Sequence, residues 1–266
     1  MKLLVIGGGN MGFTYAKSIL DSGQLSSGSI SILETYPPRI EELKAYSGLT
    51  ISDSTTCVTA ADIILLAIKP QQSKELFASI KHLVDPNQLF ISVMAGVTIE
   101  TIQNGLGIQK VARAMPNLPA QLGKGMTGFT GATELTEKEL GQVQRLLETT
   151  GKAMKVASES AIDAVTGISG SGPAYVFYFM QGMIEAAIKM GFTQNDAKMM
   201  VSQTFEGAVA QFKASDDSLL TWMERVASKG GTTRAALDSF DENNVNKLIQ
   251  EAAFAAQNRA IELGKK

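Results

Sequence analysis

The sequence predicts an α/β domain with a doubly wound parallel sheet, followed by an all-helical domain. Three observations carry this. The chain opens on the apolar run Met1-Lys2-Leu3-Leu4-Val5-Ile6, and Gly7-Gly8-Gly9-Asn10-Met11-Gly12 follows at once. Short apolar runs then alternate with helical patterns up to about residue 158. Beyond that point strand patterns stop and the chain reads as helix. The expected domains are therefore 1–158 and 159–266. Length agrees, because 266 residues suggest two domains at roughly 150 residues each.

In the first domain, strands are expected at 3–6, 30–33, 63–68, 89–93, 110–114 and 126–130. Several are apolar throughout, as parallel strands covered on both faces require. Helices are expected at 11–21, 38–46, 71–81, 98–104 and 137–149. Pro38 suits the first turn of its helix. Strand, helix and strand in repetition give a doubly wound sheet. Right-handed crossovers then bring the strand C-termini to one edge, where ligands bind.

In the second domain, helices are expected at 161–166, 173–190, 194–213, 218–226, 233–240 and 245–263. The helix 173–190 is unusual, because Tyr175, Val176, Phe177, Tyr178, Phe179, Met180, Met183 and Ile184 leave almost no polar face. A helix apolar all round is buried all round. About a hundred residues of helix struggle to enclose it alone. An obligate dimer with interlocked helical domains is the expected solution. A membrane span is the rival reading, and Gln181, Glu185 and Lys189, one turn apart, argue against it.

Composition narrows the partners. Hydrophobic residues are 44% and charged residues 19%, which fits a globular protein. A net charge of −2 with no basic block argues against nucleic acid. The single cysteine, Cys57, rules out an internal disulfide and a multi-cysteine metal site. No metal is expected. His82, the only histidine, reads as a solvated residue near a helix end. No signal peptide and no bilayer-spanning stretch is visible, so a cytoplasmic protein is expected.

The glycine run has the G-x-G-x-x-G form between a strand and a helix, the context in which it marks a dinucleotide site. Gly7 permits a tight turn, Gly9 lets backbone approach a pyrophosphate, and Gly12 lets the helix pack on the strand. The helix N-terminus faces the anion. The first domain is thus read as a Rossmann dinucleotide-binding domain. Glu34 ends the second strand, 22 residues beyond Gly12, near the spacing of a carboxylate that binds ribose hydroxyls. A solvated, helix-flanking acid is its alternative. Ala67-Ile68-Lys69-Pro70 ends another strand, with Pro70 turning the chain over the crevice. Lys69 reads either as a cofactor contact or as a loop lysine. Met94-Ala95-Gly96 supplies small residues against which a nicotinamide can lie.

Two further glycine-rich segments lie in the second domain. Ser169-Gly170-Ser171-Gly172-Pro173-Ala174-Tyr175 and Ser228-Lys229-Gly230-Gly231-Thr232-Thr233 each read as a loop entering a helix. Exposed N–H groups and hydroxyls there suit a carboxylate. The same residues suit helix caps, and for either loop alone the cap is the better reading.

Taken together, these segments resemble the pyrroline-5-carboxylate reductase family. The resemblance rests on the glycine loop, on Ala-Ile-Lys-Pro at 67–70, Met-Ala-Gly-Val-Thr-Ile at 94–99 and Arg-Ala-Met-Pro-Asn at 113–117. It rests most specifically on Asp-Ala-Val-Thr-Gly-Ile-Ser-Gly-Ser-Gly-Pro-Ala-Tyr at 163–175 and Val-Ala-Ser-Lys-Gly-Gly-Thr-Thr at 226–233. It implies reduction of the cyclic imine Δ1-pyrroline-5-carboxylate to L-proline by NADPH or NADH. It also implies a helical dimerisation domain and a homodimer or a larger ring of dimers. By matching position, Glu159, Thr166, Ser228, Gly230, Gly231, Thr232 and Thr233 fall at the substrate, with Thr233 catalytic through its hydroxyl. Ile6, Gly7, Gly8, Gly9, Asn10, Met11, Gly12, Glu34, Ala67, Ile68, Lys69, Pro70, Met94, Ala95 and Gly96 fall at the cofactor.

Two positions depart from the family's usual pattern, and at a third, residue 229, a Lys variant is also normal for the family. Glu34 stands where NADPH-using members often have small polar residues. Arg225 stands where the family often has Asn, and Lys229 where many relatives have Pro. The first two leave NADPH and NADH open. Two rivals also remain. A dehydrogenase of β-hydroxy acids sets a catalytic lysine in the helix that starts the second domain, but here that helix has none before Lys189. A non-enzymatic nucleotide-binding scaffold is the other, and the retained hydroxyl loops count against it.

Overall fold

The computed structural model describes residues 1–264. They form two compact units. One holds the chain to Pro173 together with the segment from Ala255, and the other is Ala174–Phe254. This division by packing differs from the expected one after residue 158, because α6 (Glu159–Val165) packs on the sheet of the first unit.

The first unit is an eight-stranded sheet. In chain order its strands are β1 (Leu3–Ile6), β2 (Ile30–Leu33), β3 (Leu49–Ser52), β4 (Ile63–Leu66), β5 (Leu89–Ser92), β6 (Val111–Met115), β7 (Gly125–Gly131) and β8 (Gly151–Lys155). Their order across the sheet is β3-β2-β1-β4-β5-β6-β7-β8. β1 to β6 are parallel, and β7 reverses against β6 with β8 parallel to it. Helices α1 (Asn10–Asp21), α2 (Pro37–Lys44), α3 (Ser73–Ile80), α4 (Ile99–Leu106) and α5 (Glu137–Glu148) cover both faces. Alternate residues of β1 feed two cores. Leu3 and Val5 join Tyr15 and Ile19 of α1, and Leu4 and Ile6 join Phe77 and Ile80 of α3.

Two strands escaped the sequence reading, and both are edges. β3 reads Leu-Thr-Ile-Ser with Thr50 exposed, and β8 carries exposed Lys152 and Lys155. A strand paired on one side only has no need of apolar residues throughout, and charge protects it from pairing further. Several element ends also shift by one or two residues. The strand expected at 63–68 stops at Leu66. The helix expected at 71–81 divides into a 3₁₀ turn, Pro70–Gln72, and α3. His82 lies beyond α3 and is exposed.

The second unit is helical. It comprises most of α7 (Gly172–Lys189), then α8 (Gln194–Lys213), α9 (Leu219–Val226), α10 (Thr232–Glu242) and the first part of α11 (Val245–Gly264). No residue of α7 is buried, and Phe177 and Tyr178 are 57% and 80% exposed. The helical domain does not enclose this helix by itself, as the expectation of a dimer requires. Among the described residues no helix is long and apolar enough to cross a membrane.

Candidate active site

The glycine loop joins β1 to α1 at the C-terminal edge of the sheet. Gly7 has φ +99°, and a Cβ there would lie 2.7 Å from the Ala67 carbonyl oxygen. Only glycine fits both conditions. A Cβ on Gly12 would lie 1.9 Å from the Gly7 oxygen, so this glycine lets α1 close onto the loop. Gly9 differs, because nothing lies within 4 Å of its absent Cβ. It caps α1 in an extended conformation with no side-chain hydrogen bond. The N–H groups of Asn10, Met11 and Gly12 form the helix's first turn, where N–H groups have no partner within the helix. Open space at Gly9 in front of these donors is the form of a phosphate cradle.

A cleft of about 470 Å³ opens beside this loop. Its walls bring together Ile6, Gly7, Gly9, Glu34, Ala67, Ile68 and Lys69, with Thr35, Thr55 and Gln72. Gly8, Asn10, Met11, Gly12, Pro70, Met94, Ala95 and Gly96 do not line it. Pro70 opens the 3₁₀ turn behind Lys69, so the chain turns there as expected. Glu34 is held by three backbone donors. Its Oε1 accepts from the N–H groups of Thr35 at 2.8 Å and Tyr36 at 3.0 Å, and its Oε2 accepts from Gly8 N–H at 2.9 Å. These bonds fix the carboxylate between the glycine loop and the start of α2.

Met94, Ala95 and Gly96 follow β5. Met94 is buried and its N–H donates to Ser92 Oγ. Gly96 has φ +75°, and a Cβ on it would lie 3.1 Å from the backbone of Leu263. The last turn of α11 thus packs on this loop.

Glu159 opens α6, and its Oε1 accepts from Ile99 N–H at 3.0 Å and from Arg113 Nη1 at 3.1 Å. Arg113 Nη2 also donates to Asp163 Oδ1 at 2.9 Å. The guanidinium is 4% exposed, so this is a buried tie between β6 and α6. Thr166 Oγ1 donates to the Ile162 carbonyl. The segment after it corrects an expectation. Residues 169–172 do not form a loop with open N–H groups. Thr166–Gly170 is a π-helical turn, with Ser171 N–H donating to the Thr166 oxygen at 2.9 Å, and α7 begins at Gly172. Pro173 has no N–H to offer the Ser169 oxygen one turn back. Asn117 Nδ2 donates to that oxygen instead, at 3.0 Å, while Asn117 Oδ1 accepts from Met126 N–H. Arg113 and Asn117 were quoted for the resemblance without a role. Glu159, Asp163 and Ser169, the partners on α6 and the turn after it, lie about fifty residues away, and no local pattern shows them.

In the second unit, Gly230 has φ +74° and Gly231 N–H donates to the Ser228 oxygen at 3.0 Å, which makes a tight turn. Gly231 is the N-cap of α10, with no side-chain cap. The glycine itself is the cap, in keeping with the cap reading of this loop, and among the described residues no cap bond comes from the hydroxyls of Ser228, Thr232 or Thr233. The N–H groups of Thr232 and Thr233 belong to its first turn and have no partner within it. Arg234 is tied to Asp238 and Asp241 along α10. Lys229 is exposed. Arg225 pairs with Asp217 at 2.7 Å and stacks over Trp222 at 4.5 Å. Hydrogen bonding from Ser215, then Arg225, lowers the Asp217 pKa.

Comparison with known proteins adds the decisive observation. The chain is 36% identical to pyrroline-5-carboxylate reductase 2 of Bacillus subtilis over 265 residues, covering 98% of this chain and 95% of that one. The chain belongs to the pyrroline-5-carboxylate reductase family. Residues 159–263 match the family model "Pyrroline-5-carboxylate reductase dimerisation". Residues 2–96 match "NADP oxidoreductase coenzyme F420-dependent". A pyrroline-5-carboxylate reductase structure from Coxiella burnetii superposes with TM-score 0.92 at 30% identity, covering 100% of this chain and 99% of that one. The Plasmodium falciparum pyrroline carboxylate reductase, solved with NADP bound, superposes with TM-score 0.89 at 26% identity, covering 99% of this chain and 98% of that one.

Proposed function

We infer that this chain reduces Δ1-pyrroline-5-carboxylate to L-proline with NAD(P)H, as a homodimer. One observation carries the reading: likeness to reductases of this substrate runs over essentially the whole chain, through both units.

The glycine loop fits the cofactor. Open space at Gly9, with first-turn N–H groups of α1 behind it, would hold the pyrophosphate. Glu34 would meet the adenosine ribose. Ala67, Ile68, Lys69 and Pro70 would flank the dinucleotide, and Met94, Ala95 and Gly96 would support the nicotinamide. When bound, the reduced nicotinamide supplies the hydride for the imine carbon.

The chain's own residues bind and orient the imine. The N–H groups of Gly230, Gly231, Thr232 and Thr233, at the head of α10, are proposed to hold the substrate carboxylate, with Ser228 beside them. The Thr233 hydroxyl is proposed to hydrogen-bond the ring nitrogen; hydride transfer in general needs the ring within about 3–3.5 Å of its donor. Glu159 and Thr166 are proposed to flank the substrate. The geometry of Glu159 supports a positioning role, because Arg113 and Ile99 already hold its carboxylate.

The dimerisation match includes α7. A partner subunit would cover the exposed Phe177 and Tyr178. A cytoplasmic location is part of the same proposal. The deciding experiment is turnover of Δ1-pyrroline-5-carboxylate by the purified chain with NADH or NADPH, followed by cofactor absorbance and by proline formed. Absence of proline with both cofactors would overturn the reading.

A further inference from the structure

We propose that Glu34 makes the chain selective for NADH, by filling with its own carboxylate the backbone donors a 2′-phosphate would need. The proposal rests on reading the cleft beside the glycine loop as the dinucleotide site.

Three N–H groups converge at the C-terminal end of β2. Thr35 and Tyr36 donate to Glu34 Oε1 at 2.8 and 3.0 Å, and Gly8 donates to Oε2 at 2.9 Å. Converging backbone donors of this kind form an anion site. Here the anion is a side chain of the protein itself. A carboxylate offers about four lone-pair positions. Three are taken, and one is left to accept from a neutral ribose hydroxyl. A 2′-phosphate carries a charge of about −1.5 to −2. It would find these amides occupied and a negative charge in their place.

Two surrounding residues fix the arrangement. A Cβ on Gly8 would lie 3.2 Å from Glu34 Oε2 and 2.5 Å from Leu43 Cδ1, so glycine is what admits the carboxylate. Arg39 is the nearby cation that could answer a phosphate, but it is already engaged. Its Nε donates to the Gly8 oxygen at 2.7 Å, and its Nη1 pairs with Glu42 at 2.7 Å. Its guanidinium lies 5.2 Å from the Phe13 ring centre. Lys69 also lines the cleft, as a point charge without the converging donors.

The test is calorimetric binding of NADH and NADPH to the full chain without substrate, with ADP and 2′,5′-ADP as fragment controls at fixed ionic strength. The wild-type chain is expected to bind NADH at least about tenfold more tightly than NADPH. ADP should exceed 2′,5′-ADP in the same sense. Glu34→Ser frees the amides and should tighten NADPH while weakening NADH, moving the ratio by about a hundredfold. Equal wild-type affinities for NADH and NADPH would overturn the proposal without any variant. So would a folded Glu34→Ser chain with an unchanged ratio. If neither dinucleotide binds the wild-type chain, the reading of the cleft falls, and the proposal with it.

Discussion

Thr233 stands in the first turn of α10, behind a glycine that already occupies the cap position. Its hydroxyl is therefore not committed to ending the helix. Thr233→Ala should leave the thermal midpoint nearly unchanged, with a stability effect within about 0.5 kcal/mol. If the hydroxyl holds the ring nitrogen, kcat should fall about tenfold or more, since roughly 1.4 kcal/mol of transition-state stabilisation is a factor of ten. Thr232→Ala should be milder. Equal small effects from both substitutions would remove Thr233 from the chemistry and leave the backbone donors. At this scale the sequence was legible where a residue's meaning is local. Gly7 and Gly230 show themselves through left-handed backbone, at φ +99° and +74°, and Gly12 through the close approach of α1 to the loop. Arg113 was not legible. A single arginine in an apolar strand acquires its role from Glu159 and Asp163 on another element.

Elements were read well where one pattern decides them and poorly where tertiary context does. β1 and β2 fall on their predicted residues because both faces are buried. β3 and β8 were missed because an edge imposes less. The π turn after α6 was missed because glycine and serine suit a loop as well as a bent helix, and Pro173 and Asn117 choose between them. Two predictions belong here. Gly9→Ala should fold like wild type, because its Cβ enters open space, yet weaken NADH binding about tenfold as backbone is held off the pyrophosphate. Gly12→Ala should instead lower the thermal midpoint, because its Cβ collides with the Gly7 oxygen. Melting curves with NADH titrations separate the two. The second prediction concerns α5. Lys110 and the Thr136 backbone hold Glu139, in the capping box, at a pKa of about 2 rather than 4.5. A lowered folded pKa means stability is present above about pH 4.5 and is lost as pH falls towards about 2. Urea midpoints across that window should decline less steeply in Glu139→Gln. An identical slope would show that the Lys110 pair contributes nothing.

For the whole molecule, the change from alternating strand and helix to helix alone was plain in the sequence, and so was the excess of apolar residues in α7. The packing boundary was not, because α6 and the end of α11 belong with the sheet while looking like part of a helical domain. On the single chain α7 leaves Val176, Phe177, Tyr178 and Met183 exposed. Wild type should therefore sediment as a dimer or a multiple of it at micromolar concentration. Phe177→Asp should abolish that species, because a charge buried without a partner costs several kcal/mol. A dimer of unchanged affinity in this variant would move the interface away from α7.

The contact between Gly96 and the last turn of α11 makes that stretch of helix a place from which to watch the neighbouring loop. Leu263 and Gly264 lie against the loop that follows β5, so a fluorescent label at Leu263 would sit beside the place where the nicotinamide is proposed to rest. Lys2, whose N–H donates to Asp62 ahead of β4 at the opposite edge of the parallel strands, offers the distant control position.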